Sequence, residues 1–286
     1  MTALEACDIT CLYGSTIAVD QLSLKVPKGS IYGFLGVNGA GKTSTIKMLM
    51  GILPPAHGEI CILGEWQKRV SPRSRRHLAY VSQEQFFYPW MKPHRLAKFV
   101  RAFYPDWKQS QFESLLMRFQ LPANKSVTEM SGGMKTKLAL ALALSSQPGI
   151  LILDEPTAGL DPVARREFMD IVITEAGEKG TTTFFSSHLV NEVEQCADTV
   201  GILHRGKLLH EGPLDLLMKQ VVCISNCDES GIPEDAVVLQ QKEDGKLFVK
   251  HSGKDVRDRL PDQCGIQSAT LEEIFLAHVA WQSRVS

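Results

Sequence analysis

Gly36-Val37-Asn38-Gly39-Ala40-Gly41-Lys42-Thr43-Ser44 is the stretch that decides how this chain of 286 residues folds. In front of it stands an apolar run, Ile31-Tyr32-Gly33-Phe34-Leu35, with the character of a buried strand; behind it, Thr43 to Met50 reads as a helix. Three glycines let the backbone bend so that its N–H groups face inward, and the helix N-terminus adds its dipole, so the turn is built to hold an oxyanion. A lysine here reaches the β- and γ-phosphates of a nucleotide, and the hydroxyl that follows sits on Mg²⁺. The stretch is a complete P-loop. Its candidate nucleotide-binding residues are Gly36, Asn38, Gly39, Ala40, Gly41, Lys42, Thr43 and Ser44.

Two further segments narrow the reading. Ile150-Leu151-Ile152-Leu153-Asp154-Glu155-Pro156 is an apolar strand ending in two acids. Neighbouring strand residues face opposite ways, so the pair can serve different partners. Asp154 suits a magnesium-holding acid, and Glu155 suits a group that orients and deprotonates water. Two carboxylates beside a triphosphate repel it unless a metal offsets them, so Mg²⁺ accompanies ATP in this reading. Met130-Ser131-Gly132-Gly133-Met134-Lys135 then opens an Ala- and Leu-rich helical run, Thr136 to Ser146. A serine and two glycines at a helix start make a second anion cradle. One triphosphate does not need both cradles in one subunit. The economical expectation is that the second serves a nucleotide held by another copy.

With Ala158-Gly159-Leu160-Asp161 and Ser186-Ser187-His188 added, the series resembles, in order along the chain, the ATPase subunit of ABC transporters. The resemblance runs from Met1 to about Pro213. It implies an α/β fold of P-loop NTPase type: a RecA-like core with a mostly parallel sheet, an antiparallel β subdomain and a helical subdomain. Tyr13 matches the aromatic that stacks on adenine, although a half-buried strand tyrosine would look the same. Gln83 matches the glutamine that senses Mg²⁺ and the attacking water, with Gln85 close enough to compete for the role. His188 matches the switch histidine that bonds the γ-phosphate. Glu155, His188 and Gln83 are thus the implied catalytic group, and Thr43, Gln83 and Asp154 the metal group. Ser131, Gly132, Gly133 and Asp161 are implied to act on the nucleotide of the opposite protomer, Asp161 by coupling the two sites. The implied assembly is a homodimer, or a heterodimer with a second ABC ATPase, attached to an integral membrane permease at the cytoplasmic face of the membrane. The departures are mild. Val37 and Ser82 stand where the family often has Pro, Met130 where it has Leu, and Met134 where it has Gln. None removes a phosphate donor, a metal ligand or the base, and Met134 points toward single-domain ATPases of ABC-2 or exporter-type systems. The competing reading is a soluble ABC ATPase of DNA repair or translation; the distance from Gln83 to Ser131 leaves no room for a long coiled coil, and one motif set disfavours the tandem translation class.

Composition agrees. A net charge of −1 with interspersed signs disfavours a general nucleic-acid binder, so no nucleic-acid partner is expected. Seven scattered cysteines, at 7, 11, 61, 196, 223, 227 and 264, show no paired metal-ligand spacing and read as reduced thiols. The longest apolar runs fall short of a membrane span. Residues 1–213 are expected to form the nucleotide-binding domain, with a helical subdomain over about 86–147 whose main helices are Lys92–Phe103 and Lys108–Phe119. Phe86-Phe87-Tyr88-Pro89-Trp90-Met91 is either that subdomain's core or a groove for a helix of a membrane subunit. Residues 214–286 read as a small α+β appendix, with strands at 221–226 and 236–241, a hairpin turn at 243–246 and a helix over Leu271–Ala280. The apolar face of that helix has three possible partners: its own sheet, the ATPase body or a second protomer.

Overall fold

The computed structural model describes residues 1–251, 256–261 and 263–285. Strands β1 (Thr2–Tyr13) and β2 (Thr16–Pro27) pair antiparallel across a tight turn at Gly14, where φ is 60°. The chain then runs through β3 (Ile31–Leu35) and α1 (Lys42–Leu49) to β4 (His57–Ile62) and β5 (Glu65–Gln67). Strands β4 and β5 extend the first pair into an antiparallel sheet of order β2-β1-β4-β5. After α2 (Pro72–Arg75) and β6 (Leu78–Val81) comes a helical segment of α3 (Pro93–Arg101), α4 (Gln109–Arg118) and α5 (Gly132–Ser145). Then follow β7 (Ile150–Asp154), α6 (Pro162–Lys179), β8 (Thr182–Ser187), α7 (Val190–Cys196), β9 (Thr199–His204) and β10 (Lys207–Pro213).

These strands form the sheet that positions the site, in the order β10-β9-β3-β8-β7-β6. All its pairings are parallel except β9–β10. Strands β3, β7, β8 and β9 are buried at every position, as expected for a sheet covered on both faces. Their carboxyl ends line up, so the loops after β3, β7 and β8 meet at one edge; Leu35 pairs with Ser187, and Asp154 with Ser186. Ligands of open α/β sheets sit at such an edge.

The C-terminal part begins with α8 (Leu214–Gln220) and β11 (Val221–Ser225), continues through β12 (Val237–Gln241), β13 (Leu247–Lys250) and β14 (Gly265–Ser268), and ends in α9 (Leu271–Val285). Its antiparallel sheet has the order β12-β13-β11-β14. The expected hairpin turn is present: Lys242 N–H donates to Lys246 O at 2.9 Å, and Gly245 has φ 79°. Leu271, Ile274 and Ala277 are fully buried in the same core as Leu214, Leu217 and Phe185, and α9 lies against α7 and β10. Of the three possible partners for this helix, it covers two at once: its own small sheet through β12, and the ATPase body through α7 and β10. Leu276, which adjoins that face in sequence, is 48% exposed because 100° per residue rotates it off the stripe carrying 271, 274, 275 and 278. Strands β4, β5, β9, β10, β13 and β14 carried no separate sequence expectation.

Candidate functional site

The turn between β3 and α1 is held by glycine where no other residue fits. Gly41 has φ 109°, and a Cβ there would lie 2.6 Å from the carbonyl oxygen of Ala18; a Cβ on Gly36 would lie 2.7 Å from that of Leu203. The first intrahelical bond of α1 runs from Thr45 N–H to Gly41 O, so the N–H groups of Lys42, Thr43 and Ser44 precede the helical ladder and are available to an anion. A cavity of about 310 Å³ opens over this turn, lined by Ala18, Asn38, Gly39, Gly41, Lys42, Thr43, Ser44, Gln83 and Glu155. Sequence reasoning placed every one of these except Ala18, whose strand reaches the site only through the antiparallel sheet.

Lys42 is 5% exposed, and its ammonium is fully engaged. It donates to Gly36 O at 2.7 Å and Val37 O at 3.1 Å, and lies 3.0 Å from Glu155 Oε1. The other oxygen of Glu155 receives His188 Nδ1 at 3.0 Å and Gln83 Nε2 at 3.4 Å. One carboxylate thus gathers three residues that come from three separate loops. Gln85 folds back to donate to Ser82 O, so of the two candidate glutamines Gln83 is the one at this centre. Glu155 itself sits at φ 45°, a left-handed conformation that costs about 1–2 kcal/mol for a non-glycine residue. Its N–H donates to Ser186 Oγ at 3.0 Å and Ser186 O at 3.2 Å, which pins the residue against β8.

Asp154 is 1% exposed and faces the opposite way. It accepts from Ser186 Oγ at 2.8 Å and from Thr43 Oγ1 at 3.3 Å. Burial holds its carboxyl above the usual carboxylate range, against the stabilising bonds from Ser186 and Thr43, and the nearby Glu155 adds to the rise. Burial also pushes the Tyr80 hydroxyl up, with Asp154 beside it. Ser186 and Tyr80 thus line the Asp154 side of the site without an assigned role in the sequence reading. The signal for Ser186 was its strand register opposite Asp154, which a single sequence does not display.

Two carboxylates beside one lysine leave excess negative charge where a triphosphate would bind, and a divalent cation next to Asp154 and Thr43 would offset it. Among the described residues no three His, Cys, Asp or Glu side chains converge on a point. A cation here would therefore take its remaining ligands from phosphate oxygens and water, as Mg²⁺ does.

The remaining candidates lie at the margins of this centre or outside it. Tyr13, half exposed at the end of β1, receives Ser44 Oγ at 3.4 Å. Ser131 caps α5, accepting from Met134 N–H at 3.2 Å, and Asp161 caps α6, accepting from Val163 and Ala164 N–H at 3.0 and 2.9 Å. The Ala164 bond leads the lowering of the Asp161 carboxyl below its ordinary value. None of Ser131, Gly132, Gly133 and Asp161 lines the cavity. Behind the site, Glu192 of α7 is 5% exposed and accepts from Ser187 Oγ at 2.6 Å and from Thr157 Oγ1, with Arg165 Nε 3.4 Å away.

The family model described as ABC transporter matches residues 19–158. The bacitracin transport ATP-binding protein BcrA of Bacillus licheniformis is 39% identical over 221 residues, spanning 77% of this chain and 72% of that protein. The Nod factor export ATP-binding protein I of Mesorhizobium japonicum is 31% identical over 294 residues, spanning 96% and 86%. Among solved structures, an ATP-binding subunit of an ABC transporter superposes with a TM-score of 0.70 at 28% identity, over 77% of this chain and 93% of that one. A P-loop cavity on this sheet, together with relatives of this identity and coverage, places the chain in the family of ABC transporter ATP-binding proteins.

Proposed function

We propose that this chain hydrolyses ATP between two protomers arranged head to tail and thereby drives transport through a separate membrane subunit. The observation that carries the reading is the division of the anion-binding apparatus. The P-loop cavity gathers Lys42, Gln83 and Glu155, while Ser131, Gly132 and Gly133, at the N-terminus of α5, do not line it. A second copy turned about a two-fold axis brings each cradle onto the other's nucleotide. In this arrangement the α1 N-terminus and Lys42 hold the β- and γ-phosphates, Tyr13 stacks on the base, and Thr43, Asp154 and Gln83 border the cation. Mg²⁺, when bound, neutralises the developing charge on the phosphate oxygens. Glu155 accepts the proton of the attacking water, held in place by His188 and Gln83. Ser131, Gly132, Gly133 and Asp161 complete the site from the partner.

The membrane subunit is supported by the outward aromatics of the helical segment. Phe86, Tyr88 and Trp90 are 87%, 47% and 69% exposed, whereas Phe87 turns inward onto the core. The expectation of a single role for this stretch therefore divides: Phe87 belongs to the core, and its neighbours form a surface suited to an apolar helix. Among the described residues no helix is long and apolar enough to cross a membrane; in this proposal the translocation path lies in a separate membrane subunit. BcrA and the Nod factor protein bear the names of transport and export components, which favours outward transport, and the proposed location is the cytoplasmic face of the membrane. The division at about residue 213 belongs to the same proposal, with residues 1–213 sufficient for the nucleotide chemistry and 214–286 accessory.

Mixing two defective variants tests the geometry. A dimer of Lys42→Ala with Ser131→Arg has one doubly damaged site and one intact site, so ATP-dependent occupancy should return to about half the wild-type stoichiometry. If the mixture binds no more ATP than either parent, the two motifs do not meet across an interface.

A further inference from the structure

A second cavity, of about 350 Å³, lies where the C-terminal sheet and α9 meet the ATPase body. Its apolar wall consists of Leu209 from β10, Val237 and Leu239 from β12, and Trp281 from α9; its polar wall includes Lys250 and His278. Nothing in the ATP chemistry uses it.

The polar groups are arranged as a recognition site rather than as a satisfied core. His278 is 3% exposed. Its Nδ1 lies 2.8 Å from the Ile274 carbonyl, which only accepts, so the ring proton is on Nδ1 and Nε2 is left as a lone-pair acceptor with no partner. Lys250 Nζ lies 3.4 Å from His210 Nδ1, an acceptor toward the ammonium, which puts the His210 proton on its buried and unpartnered Nε2. The two rings are 5.6 Å apart. Burial, reinforced by Lys250, lowers the His210 imidazole to about 4, and burial lowers His278 in the same direction. Both rings are therefore neutral near pH 7, and Lys250 provides the positive charge. Among the described residues Lys250 forms no ion pair. The one carboxylate lining the cavity, Asp235, is held by Arg259 Nη1 at 2.7 Å.

A half-buried ammonium without a counter-ion, an orphaned acceptor and an aromatic side chain lining the same cavity define what would fit. We propose that this cavity binds a small aromatic organic anion, its acid group on Lys250, a ligand N–H or O–H on His278 Nε2, and its ring against Trp281, Leu209, Val237 and Leu239. The volume lies at the lower end of the range for small-molecule pockets. Binding would relieve the desolvated lysine and supply the donor that His278 lacks, whereas a neutral ligand of the same shape would gain only the apolar contact.

The probe is 1-anilinonaphthalene-8-sulfonate, which carries a sulfonate, an N–H and an aromatic body, compared with N-phenyl-1-naphthylamine, which lacks only the sulfonate. The full-length folded chain should bind the sulfonate saturably at one site per protomer, and saturating MgATP should not displace it. Lys250→Met should weaken sulfonate binding about tenfold to a hundredfold, the worth of a charge-assisted bond, and leave the neutral probe within about twofold. Trp281→Ala should weaken both. If Lys250→Met does not fold, competition on the unmodified protein decides the matter: indole-3-acetate should displace the sulfonate, and indole should do so far less. Unsaturable binding, displacement by MgATP, equal competition by the two indoles or an unchanged Lys250→Met would each overturn the assignment.

Discussion

Replacing Glu155 by glutamine separates three quantities that this side chain links. Glu155 Oε1 lies 3.0 Å from Lys42 Nζ. At an effective dielectric of 20 that spacing corresponds to an attraction of about 5 kcal/mol, most of it offset by removing both groups from water. Deleting one partner of a buried pair ordinarily costs about 3–5 kcal/mol. Lys42 keeps its bonds to Gly36 O and Val37 O, and a glutamine oxygen can still accept from it, so the loss here should be about 1–2 kcal/mol. ATP binding should move the other way. In the wild type a phosphate must draw Lys42 away from Glu155, while in the variant it need not, so affinity should rise by up to about tenfold, or 1.4 kcal/mol. Turnover should fall by about 10²–10⁴, the contribution of a positioned general base. The assays are thermal unfolding without nucleotide, equilibrium ATP binding, and single-turnover hydrolysis under the same conditions. Hydrolysis within tenfold of wild type would remove Glu155 from the base role. Weaker ATP binding would show that the Lys42–Glu155 pair does not compete with phosphate.

The outward aromatics and the inward one should respond differently. Phe86→Ser with Trp90→Ser should abolish co-purification with a membrane partner while leaving stability within about 0.5 kcal/mol, whereas Phe87→Ser should cost roughly 2 kcal/mol of stability; the opposite pattern would exchange their assignments. Acid should destabilise the chain through His210. Its folded value near 4 lies below the ordinary 6.5 because of burial first and Lys250 second, so the unfolded chain takes up a proton that the folded one refuses. That stability is fully present above about pH 6.5 and is lost as the pH falls toward 4, by up to about 3 kcal/mol before allowance for partial exposure. Urea midpoints at pH 7 and pH 5 should therefore differ more in the wild type than in His210→Gln, and equal differences would count against the cause.

The parts of the site made by local chain were readable from the residues. The P-loop needs only glycines at fixed offsets, a lysine and a hydroxyl between an apolar strand and a helix. The two acids at the end of β7 declare themselves in the same way. The sequence points to Gln83 but does not set Gln85 aside, because the choice turns on which side chain reaches Glu155, a residue 72 positions away. Ala18 and Tyr80 escaped for a related reason: each reaches the site only through sheet pairing. The fate of Phe87 depended on one residue's rotation within a stretch where every neighbour is aromatic and composition cannot tell inside from outside. The face of α9 was legible as a stripe, but its partner was not, since periodicity records that a surface is buried without saying against what.

Glu192 carries a mechanical consequence. Its carboxylate accepts from Thr157, which follows the β7 acids, and from Ser187, which precedes His188, and it pairs electrostatically with Arg165, one turn into the helix capped by Asp161. A loop, a strand end and a helix start tied to one point cannot wander independently. The spread of positions open to Glu155, His188 and Asp161 is correlated, and a displacement that reaches any of them is shared among all. Alignment of these three residues becomes one event rather than three coincidences, and its frequency does not fall as the product of separate chances. The mooring point belongs to α7, the helix against which α9 lies, so the C-terminal helix rests on the element that ties these segments of the candidate site together.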